Sequence, residues 1–84
     1  MYSIEFERQA SKDLRRLAPR QMVQIQMKID SLAQNPRPPE CKRVKTIPGY
    51  LRIRCGDYRI VYEVDDKEKL VIINRVRHRR EAYM

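Results

Sequence analysis

Residues 50–62 alternate apolar and basic side chains on both sides of a turn, and few architectures accommodate that pattern. Leu51, Ile53 and Cys55 alternate with Arg52 and Arg54. After Gly56-Asp57, Tyr58, Ile60 and Tyr62 alternate with Arg59, Val61 and Glu63. A period of two marks a strand, and two such runs across a Gly-containing turn mark a hairpin, here with Gly-Asp in place of the stronger Asp-Gly. One face of that hairpin is apolar and must be covered; the other carries arginine and stays open.

The rest of the chain supplies the cover. Tyr2, Ile4 and Phe6 alternate with Ser3 and Glu5, which predicts a short strand. Ala10, Leu14 and Leu17 fall at helical spacing, with Lys12, Asp13, Arg15 and Arg16 between them. Pro19 suits the first turn of a second helix, along which Met22, Ile25, Ile29 and Leu32 form one stripe until Asn35-Pro36. The tight joint at Ala18 predicts an antiparallel helical hairpin. Arg37-Pro38-Pro39-Glu40 is a stiff connector, Lys42 to Ile47 a candidate edge strand, and Pro48-Gly49 a turn. Asp65-Asp66-Lys67-Glu68 turns the chain into a last strand, Leu70 to Arg77, whose Leu-Val-Ile-Ile run marks it as central. The expectation is one α+β domain over residues 1–84, in the order β-α-α-β-β-β with an optional further strand. The helical hairpin packs on one face of a mainly antiparallel sheet.

Charge is unevenly spread. The 84 residues carry a net +8. Residues 1–41 hold seven Lys/Arg and five Asp/Glu, a net +2, and residues 42–84 hold twelve and six, a net +6. A basic field of this kind attracts polyanions and speeds their encounter. Two cysteines and one histidine at scattered positions make no zinc site, and two glycines make no phosphate-cradling loop, so no cofactor or metal is expected. The acidic start is wrong for a signal peptide and no apolar run approaches the ~20 residues that span a bilayer, which predicts a cytoplasmic protein with reduced thiols and no membrane partner.

The run Tyr50-Leu-Arg-Ile-Arg-Cys-Gly-Asp-Tyr-Arg-Ile-Val-Tyr62, followed by Ile73-Asn-Arg-Val-Arg-His-Arg-Arg-Glu-Ala-Tyr83, resembles the RelE/ParE superfamily of bacterial and archaeal toxins, with the RelE branch the nearer. The resemblance covers essentially the whole chain and implies the RelE-like microbial RNase fold. It implies a toxin that cleaves mRNA in the ribosomal A site and is held inactive in a heteromer with a cognate antitoxin, operator DNA being reached only through the antitoxin. By position, Arg52 and Arg54 stand at the family's basic pair, Arg59 at its strand arginine, and Arg79 and Tyr83 at its C-terminal arginine and tyrosine. Two departures are visible: the basic pair, often lysine, is arginine here, and the sequence runs one residue past Tyr83, without the C-terminal helix of some relatives.

Metal-free RNA cleavage needs a base for the 2′-OH, cations for the phosphorane, and an acid for the leaving 5′-oxygen. Arginine stays protonated and cannot be the base. Arg59 and Arg79 suit the phosphorane, since a guanidinium fork matches phosphate oxygens. Tyr83 is a candidate base, helped by nearby arginines that favour the phenolate, or a group that stacks on a splayed nucleotide. His78 is a further candidate acid, although it falls off the matched positions. Lys42, Arg43 and Lys45 form a candidate patch for ribosomal RNA, with Arg77 and Arg80 on the basic rim. Plainer roles stand beside these: Arg52 and Arg54 as phosphate contacts only, Arg59 paired with Asp57 or Glu63, and Tyr83 as a frayed end. Two other functions fit the same fold, a ParE-like toxin that poisons DNA gyrase and cuts no RNA, and an inactive nucleic-acid-binding or antitoxin-sequestering module. A +8 toxin calls for an acidic antitoxin segment.

Overall fold

Strands form where side chains alternate and helices where apolar residues recur every three or four positions, in a computed structural model that describes residues 1–80. The elements are β1 (Ser3–Phe6), α1 (Arg8–Arg15), α2 (Pro19–Leu32), β2 (Lys42–Arg43), β3 (Tyr50–Cys55), β4 (Tyr58–Asp65) and β5 (Leu70–His78). They make a five-stranded sheet in the order β1-β5-β4-β3-β2. β1 runs parallel to β5, and the other three pairings are antiparallel. This is the expected α+β arrangement. No helix among the described residues is long and apolar enough to cross a membrane.

The core gathers the apolar stripes. Ala10 of α1 and Ile25, Ile29 and Leu32 of α2 meet Ile53, Ile60, Tyr62, Val71, Ile73 and Val76 of the sheet. Each fully buried large aliphatic side chain contributes roughly 1.5–3 kcal/mol. Tyr62 is wholly buried, and its hydroxyl donates to the carbonyl of Pro36 at 2.7 Å, tying the sheet to the segment after α2. Burial, with a hydrogen bond to Cys41, pushes the Tyr62 phenol above its ordinary pKa. Gly56 adopts a φ of +60° at the β3–β4 turn, a backbone region that glycine enters without penalty. Two boundaries differ from the sequence expectation. β2 is only Lys42–Arg43, because the backbone from Val44 folds back on itself, with the Val44 N–H donating to Tyr50 O at 2.9 Å. α2 stops at Leu32, short of Asn35-Pro36.

Asp13 has a larger role than its place between apolar residues suggests. β1 covers the edge of β5 only from Leu70 to Ile73. Beyond Ile73 the edge needs another acceptor, and Asp13 of α1, 7% exposed, supplies it. Its Oδ2 accepts from the Val76 N–H at 2.9 Å and from Arg75 Nε at 2.9 Å, and its Oδ1 from Arg75 Nη2 at 3.3 Å. At the same place β5 is bulged: Val61 faces Arg75 and Tyr62 faces Ile73, leaving Asn74 as an extra residue. An extra residue reverses the in–out phase of a strand. Val71 and Ile73 therefore face the core before the bulge, Val76 faces it afterwards, and Arg75 and Arg77 emerge on the opposite face.

Burial works to raise the Asp13 pKa, but the hydrogen bonds from Arg75 and Val76 outweigh it and hold the carboxyl below the usual range. A carboxyl with a lowered folded pKa contributes stability above its unfolded value, and loses it as pH falls through the folded one. Asp66, held down to about 2 by Arg37 and Tyr2, adds to the same window. Stability should hold above pH 4 and decline as pH falls from there towards 2. Asp13→Ala, which strands the Val76 N–H, is expected to cost about 2–3 kcal/mol in urea unfolding at pH 7 and to flatten this acid limb.

Candidate nucleic-acid interface

Strand register converts scattered basic residues into two rows on the sheet face away from the helices. Lys42, Arg52, Val61 and Arg75 are successive cross-strand partners from β2 to β5. Arg54, Arg59 and Arg77 form the next row. Directly paired strand residues sit with Cβ atoms roughly 5 Å apart, and like charges in that position are destabilising.

Over these rows lies a cavity of about 590 Å³ whose floor is Arg52, Arg59, Arg75 and Arg77, with Arg43 and Lys45 at its border. Among the described residues no carboxylate lines it. The floor arginines are half-buried. Arg75 is held by Asp13 through Nε and Nη2. Arg77 buries its Nε without a hydrogen-bond partner among the described residues. A second cavity of about 550 Å³ shares Arg43, Lys45 and Tyr50 and reaches Arg37, so the basic surface continues past the groove.

The structure thus brings together Arg43, Lys45, Arg52, Arg59 and Arg77 of the residues singled out by sequence. It separates others. Arg54 shares a row with Arg59 but is exposed at the hairpin end, bordering a different cavity with Gln24, Met27 and Lys28 of α2. Lys42 is exposed at the sheet edge. Arg79 and Arg80 are exposed in the turn after β5. The Arg79 N–H donates to Asp57 O at 2.7 Å and its Nε lies 4.0 Å from Asp57 Oδ1, so it braces the β3–β4 turn from outside the groove. The arginine across from Arg59 is Arg77. Tyr83 lies outside the described residues.

The same register places His78, the candidate acid, beside Tyr58. Its ring meets Tyr58 edge-on, 5.3 Å between centroids, and the Tyr58 hydroxyl donates to Gln21 Oε1 of α2 at 3.4 Å. That is the helix side of the sheet. Its Nδ1 accepts from the Arg80 N–H at 3.2 Å. Arg75, by contrast, is a groove residue that spacing alone missed. Counted in twos from Val71 and Ile73 it falls on the core face, and only the bulge at Asn74 moves it out.

The model of a family described as the ParE toxin of the type II toxin–antitoxin system parDE matches residues 4–83. The chain belongs to the RelE/ParE toxin superfamily. Toxin RelG of Mycobacterium tuberculosis is 30% identical over 98% of this chain and 95% of its own length. The mRNA interferase toxin RelE of Escherichia coli is 29% identical over 98% and 90%. Among solved structures, a chain of the toxin–antitoxin complex RelBE2 from Mycobacterium tuberculosis superposes with a TM-score of 0.81 at 30% identity, covering 92% of this chain and 96% of that one. The protein is a type II toxin of the RelE kind, and the helix pair on a five-stranded mixed sheet is the fold of the RelE structures.

Among the described residues the buried Nε of Arg77 has no hydrogen-bond partner, which makes the residue costly to the toxin's fold. Arg77→Met should raise stability by about 1 kcal/mol in urea unfolding, and a titration with single-stranded RNA tests whether the residue also binds a polyanion. In titrations at several salt concentrations, each floor arginine removed should lower the slope of log K against log salt by about 0.7.

Proposed function

We propose that this toxin is a ribosome-dependent endoribonuclease that cuts mRNA in the A site and so stops translation. The observation that carries the proposal is the groove in which Arg52, Arg59 and Arg77 converge. An arrangement of this kind suits a phosphodiester whose negative charge grows as it reacts. That the E. coli relative is named an mRNA interferase supports the same reading.

In the proposed reaction the 2′-oxygen attacks the adjacent phosphorus and the P–O5′ bond breaks, the leaving oxygen taking a proton from solvent or the ribosome, which leaves a 2′,3′-cyclic phosphate and a free 5′-hydroxyl. Arg59 clamps the scissile phosphate. Arg77, its cross-strand partner, takes the transition-state role that the family resemblance assigns to Arg79. Arg52 holds a neighbouring phosphate, and Arg43, Lys45 and Arg80 meet ribosomal RNA. The 2′-OH proton goes to Tyr83, or Tyr83 stacks on the splayed nucleotide while the ribosome supplies the base. Arginine cannot accept that proton, so the strongest local contribution is charge stabilisation, and positioning by the ribosome supplies what the side chains lack. A cognate acidic antitoxin neutralises the toxin by covering the basic face or the helical hairpin.

A second function is favoured by one finding, the ParE description of the matching family model. It is a gyrase poison that cuts no RNA, and a supercoiling assay would expose it. Primer extension on a message in a reconstituted translation reaction separates the two. Wild type should cut within A-site codons, Arg77→Ala should cut about 100-fold more slowly, and Arg79→Ala should stay within tenfold of wild type. An uncut message with inhibited supercoiling would transfer the function to gyrase. Loss of cutting in Arg79→Ala alone would return the transition-state role to that residue.

A further inference from the structure

The arginine groove has an apolar side that charge neutralisation does not explain. Val44, Ile47, Tyr50 and Val61 line the same cavity as Arg52 and Arg77. None of the four belongs to the buried core or to the partly buried residues packed against it. Ile47 is 45% exposed, on a loop that the fold's own burial does not require to be apolar. That loop is pinned by its own backbone: Val44 N–H donates to Tyr50 O at 2.9 Å, Ile47 N–H to Val44 O at 3.3 Å, and Tyr50 N–H to Ile47 O at 3.2 Å. Gly49, at a φ of +84°, makes the return possible. The wall is therefore preorganised. It stands beside cations and has no role in the core.

Phosphates need no apolar wall, but unpaired bases do. Single-strand binders combine cations that track the backbone with aromatic or apolar side chains on which bases pack, whereas a duplex hides those base faces. At about 590 Å³ the cavity is of the size that holds a small organic ligand. We infer that Val44, Ile47, Tyr50 and Val61 form a base-binding wall that seats one unpaired nucleobase of an RNA strand, while Arg52 and Arg77 hold the phosphates on either side of it. The wall then makes Ile47 and Tyr50 specificity-determining, because they select which base is tolerated beside the phosphate on the groove floor. This rests on the groove being the RNA site.

The probes are a 2′-O-methyl hexanucleotide, which lacks the attacking hydroxyl, and an abasic hexamer of equal charge, each titrated by anisotropy at low salt. Wild type should bind the base-bearing strand roughly tenfold tighter than the abasic one. Ile47→Ser and Tyr50→Ala should bring that ratio close to one and leave the abasic affinity unchanged. Ile47→Ser removes an exposed side chain, so a folding defect is not expected to mask the result. A wild-type ratio of one overturns the base wall and leaves the nuclease proposal standing. Equal loss for both strands in the variants overturns it too, since the loop would then act on charge alone. A Leu-Glu peptide of equal charge that binds more tightly than the oligonucleotide would make the wall a protein-docking surface. Failure of wild type to bind either strand would remove the RNA-site reading and this inference together.

Discussion

The carboxylate of Asp13 is the interaction on which the working face depends. It stands where a strand would otherwise have to be, accepting from the Val76 N–H at the uncovered edge of β5. Through the same oxygens it fixes Arg75, so one buried side chain both closes the sheet and orients part of the groove. A carboxylate in that position must remain charged to accept four hydrogen bonds, from Val76, Arg75 twice and Gln9, and those bonds meet the cost of burying it. Fold and charge layout are thus joined at one residue of α1.

The sheet itself is two surfaces of opposite character sharing one backbone. Ile53, Ile60 and Tyr62 are sealed against the helices, while Arg52 and Arg59, their neighbours in sequence, form the floor of the groove. The core is small, as it must be in a chain of 84 residues. The arginine surface is easier to understand as a binding device than as a stabilising one. The open face is where the molecule departs from what is best for its own stability, and that is where function is to be sought.

Much of this was legible in the residues. The alternation over 50–62 and the stripes at Ala10–Leu17 and Met22–Leu32 predict the sheet, the helical hairpin and the arginine face without any partner in view. What local patterns could not show is what depends on long-range contact. Asp13 looks like a polar spacer until its partners, 62 and 63 residues away, are known. That Arg77 stands across from Arg59 follows from register across β4 and β5, and the place of His78 from the face it shares with Tyr58. The shortness of β2 follows from backbone hydrogen bonds within the loop after it.

The extra residue at Asn74 has a consequence for descent. Between Ile73 and Val76 the chain holds one position more than a regular strand needs, and everything after it is read in the other phase. A lineage that straightened this strand while keeping all its residues would exchange inside for outside over its last half, driving Arg75 and Arg77 into the core, whereas loss of the extra residue would leave them outside.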